Sequence, residues 1–412
     1  MKIFIILIIK KSTNSCKKEI EKFILFNIIS KNFLYYNINE KRGKKKFMNN
    51  SKKLVKTTFV VLFFISMFIF STSAFRVEEI FTLNTKGNII YVGGSGEGNY
   101  SRIQDAINNA NNGDTVFVFN GTYHENHILV DKTLNLIGED KFTTIIDGGE
   151  GGDILYIIAD NVCLNGFTFQ RSGGNNTEAI HQSRCDNSII TDNIIQSIGE
   201  DGIWLFRAHN NIIKNNTIQF VKGTGLMLSL SSYNVVAGNT FVNNGAGIGL
   251  DLTTNTTITE NIIQNNQGGI YLSNIDEISN DHYGYNTISM NSIENNSYCG
   301  IYLYLSYSNS ISLNSIVNNK LGVWVEWSIL NKIEKNNIIG NKRQAKFETA
   351  LKISWNENYW GKTLLFPKPL FGIIYRFTIS FPIPIPVDLP INGLPIPGFQ
   401  FDWHPAIEPY KI

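Results

Sequence analysis

The sequence predicts an all-β chain, a single right-handed parallel β-helix with an N-terminal helix cap and a Pro-rich C-terminal cap. Three observations lead there. A Gly-apolar-x-apolar phrase recurs at Gly202, Gly225, Gly247, Gly269, Gly300 and Gly322, at spacings of 23, 22, 22, 31 and 22. An Asn-x-apolar phrase recurs in a second register at Asn193, Asn216, Asn239, Asn261, Asn291, Asn314 and Asn336, and it lengthens at the same place. All ten prolines lie between Pro367 and Pro409.

A period near 22 with alternating apolar and polar residues is a strand signal, and each unit is too short and one-sided to bury its own core. Stacked coils share a column of Ile, Leu and Val, each strand pairing with its equivalents above and below. The crossover preference for parallel strands makes the coil right-handed. The Leu-x-x-Leu-x-Leu consensus of leucine-rich repeats is missing. Glycine is expected where the chain turns tightly, and asparagine at left-handed corners where stacked amides bond from coil to coil.

In chain order, residues 1–47 read as an upstream extension outside the fold, with Met48 opening a conventional export signal. Residues 48–74 hold Lys52, Lys53 and Lys56, an uncharged apolar stretch from Thr57 to Phe70, and the small residues Thr72, Ser73 and Ala74. That pattern suits a signal peptide cut after Ala74, or an uncleaved membrane anchor through residues 57–74. Residues 75–99 are a linker and lead-in strand. Ser101 and Gln104 have capping-box spacing, and Ile103, Ala106, Ile107 and Ala110 share one helical face, so a helix over 100–110 should plug the first coil. Residues 100–361 form the β-helix, of about ten coils. Residues 362–412 form the Pro-rich cap, which is not expected to continue a sheet ladder. Leu370 to Phe381 holds Arg376 and is too short to span a membrane.

Up to Lys56 the chain carries 15 of its 36 basic and 3 of its 34 acidic residues, leaving 21 against 31, a net charge of −10. An acidic body without a basic stripe excludes nucleic acid as a partner. Three cysteines follow residue 56, Cys163, Cys185 and Cys299. They are core or turn residues with room for one disulfide pair but no framework.

Tyr100 to Asp140, "YSRIQDAINNANNGDTVFVFNGTYHENHILVDKTLNLIGED", together with the serial Asn-x-Ile and Gly-Ile-x-Leu coils, resembles the pectin-lyase-like parallel β-helix proteins, most closely the NosD-like periplasmic or surface family. Phe401 to Pro405, "FDWHP", looks like endings seen on prokaryotic members. The resemblance implies an exported protein, extracellular, on the cell surface or periplasmic, and an accessory role in maturing the copper centre of nitrous oxide reductase. The same coils carry lyases, hydrolases, epimerases and non-catalytic binders, so fold alone does not choose among them. Copper would want His, Cys or Met ligands together. His181 and His209 are 28 residues apart, with Met227 and Met290 elsewhere, so the sequence offers no metal site and implies no cofactor.

With Ile203 and Leu205 inward, the residue between them faces out. This gives an outward column of His181, Trp204, Met227, Gly249, Tyr271, Tyr302 and Trp324. A second column two residues on holds Ser183, Phe206, Ser229, Asp251, Ser273, Tyr304 and Glu326. The aromatic members, with His181 and Tyr304, are the candidate glycan-binding residues, and a polysaccharide or surface glycan is the expected partner of a monomer. Catalysis is the alternative. Asp251 and Glu326 lie three coils apart, about 14 Å, beyond the 5–9.5 Å of a glycosidase pair. The insertion from Asn274 to Asn286 carries Asp276, Glu277, Asp281 and His282, and leaves the coil after the Tyr271 strand, where loops often hold function.

Overall fold

A computed structural model describes residues 87–174, 177–273, 284–364, 366–374 and 396–412. These lie within one compact unit, Thr82–Ile412. The expected extension and export signal, together with Asp276, Glu277, Asp281 and His282, fall outside the described residues. Among the described residues no helix is long and apolar enough to cross a membrane.

The chain is a right-handed parallel β-helix of about 12 turns, more than the ten expected because the lead-in strand Ile89–Val92 and the C-terminal cap each add a rung. Each regular coil has three short strands. In one coil these are Ile203–Phe206, Ile212–Lys214 and Thr217–Val221, and their stacked equivalents form a site face, a middle face and a back face. Register runs residue for residue, as in His181↔Trp204↔Met227↔Gly249↔Tyr271↔Tyr302↔Trp324. Alternation buries Ile203 and Leu205, Leu226 and Leu228, Ile248 and Leu250, and so on to Val323 and Val325. Each buried branched side chain of this size contributes about 1.5–3 kcal/mol.

Asparagine holds the corners in both ways expected: Asn210, Asn215, Asn243, Asn265, Asn295 and Asn318 take the left-handed conformation, and the asparagines that follow them form ladders. The left-handed residue is the one before each ladder asparagine: Asp192, Asn215, Gly238, Glu260, Met290, Leu313, Lys335 and Glu357. The asparagine itself points inward. Between the middle and back faces, the backbone N–H and Nδ2 of Asn193, Asn216, Asn239, Asn261, Asn291 and Asn314 each donate to Oδ1 of the next asparagine at 2.9–3.1 Å. A second ladder between site and middle faces includes Asn211→Asn234 and Asn286→Asn309→Asn331. A third between back and site faces runs Asn244→Asn266→Asn296→Asn319→Asn341. The ladder asparagines thus satisfy one another's buried polar groups along the coil axis, while the hydroxyl of Thr256, which interrupts the second ladder, is buried without a partner.

The recurrent glycines serve close approach instead of a turn. A Cβ on Gly225 would stand 2.7 Å from the Phe241 ring and 2.8 Å from the Gly247 carbonyl oxygen.

The N-terminal helix, Ile103–Asn109, buries Ile103, Ala106 and Ile107. Ser101 does not cap it. Glu125 reaches up from the next coil and accepts from the Ile103 and Gln104 N–H groups at 2.8 and 3.2 Å, placing a carboxylate at the positive helix end. At the other end the Pro-rich tail does extend the sheet. Lys368–Ile374 pairs in parallel with Arg343–Glu348 and antiparallel with Ile396–Asp402. Pro369 and Pro397 fit because these two strands lie at the end of the ladder. Asp402, fully buried, ends the long asparagine ladder: its Oδ2 accepts from Asn358 N–H and Nδ2 and from Trp360 Nε1 at 3.0–3.2 Å. All three described cysteines are free, so no disulfide forms among them.

Candidate functional site: the outward column of the site face

The outward side chains of the site face form one strip, and Tyr156 and Lys346 extend it at either end. His181 to Trp324 spans six rungs, about 29 Å at 4.8 Å per rung. Met227 and Gly249 divide it. Met227 Sδ lies 2.5 Å from where a Gly249 side chain would begin, so glycine leaves a saddle that the methionine covers.

On the C-terminal side of the saddle, Tyr302 and Trp324 stack at 4.4 Å and 17°, and Tyr271 tilts against Tyr302 at 5.4 Å. Lys346 Nζ sits 4.4 Å from the Trp324 ring centre, a cation–π contact. All three rings are half-buried, and the Trp324 Nε1 is buried without a partner. Tyr302 donates its hydroxyl to Glu326 at 2.5 Å. Burial, then that carboxylate, pushes the Tyr302 hydroxyl well above its usual range, so it stays a donor. Tyr304, the next outward position, lies 6.0 Å from Tyr302. Asp251 is half-buried beside the saddle, and burial raises its carboxyl.

Asp251 and Glu326 stay three rungs apart, but the register continues to Glu348, the direct neighbour of Glu326. An acid pair therefore exists one rung beyond the column read from sequence. Lys346 pairs with Glu348.

On the N-terminal side of the saddle, His181 packs between Tyr156 and Trp204 at 4.8 and 4.4 Å. Trp204 Nε1 donates to Ser229 Oγ at 3.3 Å. Three residues before each of these rings stands a carboxylate on successive coils: Asp153, Glu178 and Asp201. His181 Nδ1 is 3.5 Å from Asp153 Oδ2 and 3.8 Å from Glu178 Oε2. One donor atom from each of Asp153, Glu178 and His181 lies within 4.8 Å of the others. Burial pushes Glu178 up to about 8, with Asp153 and then Asp201 adding repulsion. Burial also raises Asp201. Asp153 goes the other way: burial would raise it, but His181 and the Glu178 backbone N–H, at 2.9 Å, carry it below its ordinary value.

Sequence reasoning found His181 but missed its carboxylates. The coil from Tyr156 to His181 is 25 residues long, outside the 22–23 period used to set the register. The signal was present in the Glu178-to-His181 spacing of three, with Asp153 and Asp201 one coil to either side. Arg184 and Arg207 are exposed beside the strip, Arg207 lying 5.3 Å over the Phe206 ring.

The family described as periplasmic copper-binding protein (NosD) matches residues 107–283 and 273–365, and the chain belongs to that family. No curated protein matches the sequence. Among solved structures, the mannuronan C-5 epimerase AlgE6 A-module of Azotobacter vinelandii aligns at 15% identity, over 64% of this chain and 84% of that one, with a TM-score of 0.58. XylC, solved in complex with xylose, aligns at 11% identity over 66% and 83%, with a TM-score of 0.52. At such identities the likeness is one of fold.

Proposed function

We propose that this member of the NosD family is an exported protein that holds an extended polysaccharide along its site face. One observation carries the reading: Tyr271, Tyr302 and Trp324 stand at rung spacing in a single outward column, stacked yet half-exposed. Flat aromatic rings suit the faces of sugars, and a contiguous half-exposed aromatic strip is otherwise a solubility liability. The periplasmic character of the family supports export, and the two aligned structures, an epimerase of mannuronan and a complex with xylose, support a saccharide partner.

Cu+, the soft form of the metal in the family description, does not fit the donors that converge among the described residues. Among the described residues the thiols of Cys185 and Cys299 are buried and pushed up to about 12 by that burial, and thiolate is the form that binds metal. Met227 lies over Gly249, and the convergent donor set at His181 has one imidazole and two carboxylates. Soft sulfur ligands are what select Cu+, and this set has none.

Catalysis on the bound chain is a second reading, favoured by the rung neighbours Glu326 and Glu348. Against it, Tyr302 and Lys346 already engage those carboxylates.

The test is affinity electrophoresis of the full chain in gels containing neutral and acidic polysaccharides, with the same incubations assayed for new reducing or unsaturated ends. Retardation by at least one polymer is expected. In the double variant Tyr302→Ala/Trp324→Ala it should fall about tenfold or more while the thermal midpoint stays near wild type. No retardation by any polymer, or a double variant that unfolds as a core truncation would, sinks the binding reading. New ends would move the protein to the enzymes.

A further inference from the structure

Asp153, Glu178 and His181 form a constructed set, and ring stacking does not account for it. Asp153 lies just before the strand Leu155–Ile157. Glu178 lies just before Ile180–Ser183, the next rung, and His181 lies within it. The parallel register therefore brings two carboxylates and an imidazole from successive coils to one point on the site face.

Two independent features there point to a cation. The first is spacing. His181 Nδ1 stands 3.5 and 3.8 Å from the two carboxylate oxygens, long for hydrogen bonds, which run about 2.7–3.2 Å. Ligands about 2.1 Å from an ion stand about 3.4 Å apart in tetrahedral geometry and about 3.0 Å apart in octahedral geometry, so an ion would draw these atoms together by less than about 1 Å. The second is charge. The Glu178 side chain is 8% exposed, and Asp201 lies on the next rung. No lysine or arginine forms an ion pair with any of these three carboxylates among the described residues. Several carboxylates turned inward without a cation are costly. Elsewhere among the described residues, buried acids are answered by a guanidinium, as Asp147 is by Arg171, or by several N–H donors, as Asp114 and Asp402 are.

We infer that Asp153, Glu178 and His181 bind a divalent first-row cation, of which Mn2+ is the type, at the N-terminal end of the outward column. One imidazole with two carboxylates suits such an ion better than a sulfur-seeking one. His181 and Asp153 keep 16% and 24% side-chain exposure, which leaves the outer coordination positions open to water or to an oxygen ligand arriving along the face. Tyr156 and Trp204 fix the imidazole plane from both sides. The site stands whether or not the C-terminal half of the column binds a polysaccharide, because the two halves are separated by Met227 and Gly249.

The experiment is titration of the chelator-stripped full chain with Mn2+ alone, followed by the loss of the free-ion electron paramagnetic resonance signal. One ion per chain is expected, with the dissociation constant raised at least 30-fold in Asp153→Asn, Glu178→Gln and His181→Ala. Asp251→Asn, on the same face and outside the set, should bind as wild type does. Thermal midpoints in chelator identify any variant that fails to fold, and Glu178→Gln, which keeps the side-chain volume, remains informative if His181→Ala does not fold. No Mn2+ bound at millimolar concentration overturns the inference, as does binding that Asp153→Asn and Glu178→Gln leave unchanged. So does Cu+ held by the wild type and released by these same variants. Each outcome is independent of glycan retardation.

Discussion

The corners and the site face of this molecule are built from the same coils but obey opposite rules. At the corners one residue type recurs rung after rung, because each asparagine donates to the oxygen of the next and needs a matching amide there. On the site face the outward residue changes at almost every rung: imidazole, indole, thioether, hydrogen, then phenols and a second indole. Nothing along the axis ties those side chains to a common identity. The contrast teaches where to look for function in a solenoid. Repetition marks what the coil needs to stack, and departure from repetition on a rigid face marks what it is free to use.

The largest expected effect comes from breaking a corner. Asn291→Leu keeps roughly the side-chain size but removes the donor to Asn314 and the acceptor for Asn261, and leaves the carbonyls of Ile258 and Ser289 without that amide. Each buried group left unsatisfied costs about 1–3 kcal/mol, so a loss of about 3–5 kcal/mol is expected in urea melts. A loss below about 1 kcal/mol would mean that the ladders are incidental and the contrast with the site face is empty.

A smaller effect should follow from opening the ladder at its end. Asp402→Ala removes the oxygen that accepts from Asn358 and Trp360, but the end of a solenoid can fray locally without unfolding its middle. The expected result is a loss of about 1–3 kcal/mol, with hydrogen exchange speeding in the last coils and unchanged near Asn239. Uniform acceleration along the chain would show that the end is coupled to the whole.

The same contrast explains what could be read without coordinates. The period, the parallel register and the outward column from His181 to Trp324 were legible because strict alternation places every side chain once two registers agree. One ladder was legible and two were not. Thr256 interrupts the Asn211 series, and the third series begins only at Asn244. The role of glycine was misread because a tight turn and a close approach select the same residue, and only the neighbouring Phe241 ring separates them. The carboxylates at Asp153 and Glu178 were hidden by irregular early coils. Glu348 was hidden because its strand, Arg343–Glu348, opens on arginine and glutamine where the earlier strands open on an apolar residue and glycine.

The smallest effect probes the site face itself, in protein kept in chelator so that no cation intervenes. Glu178 is pushed up to about 8 from an ordinary 4.5 by burial and by Asp153. A carboxyl whose folded value is raised contributes stability that is complete below its unfolded value and is lost as pH rises through its folded one. Asp201, also raised, acts in the same direction. Asp153 is lowered and acts oppositely, its contribution being lost only as pH falls below the ordinary carboxylate range. Between pH 5 and pH 9, therefore, the wild type should lose stability, and Glu178→Gln, uncharged throughout, should lose less. The readout is the slope of the urea midpoint against pH for the two proteins. A corner variant such as Asn291→Leu should shift that midpoint at every pH and leave the slope alone. Equal slopes for wild type and Glu178→Gln would show that Glu178 does not hold its proton, and the two carboxylates would then lie farther from each other and closer to water than the stacked coils place them.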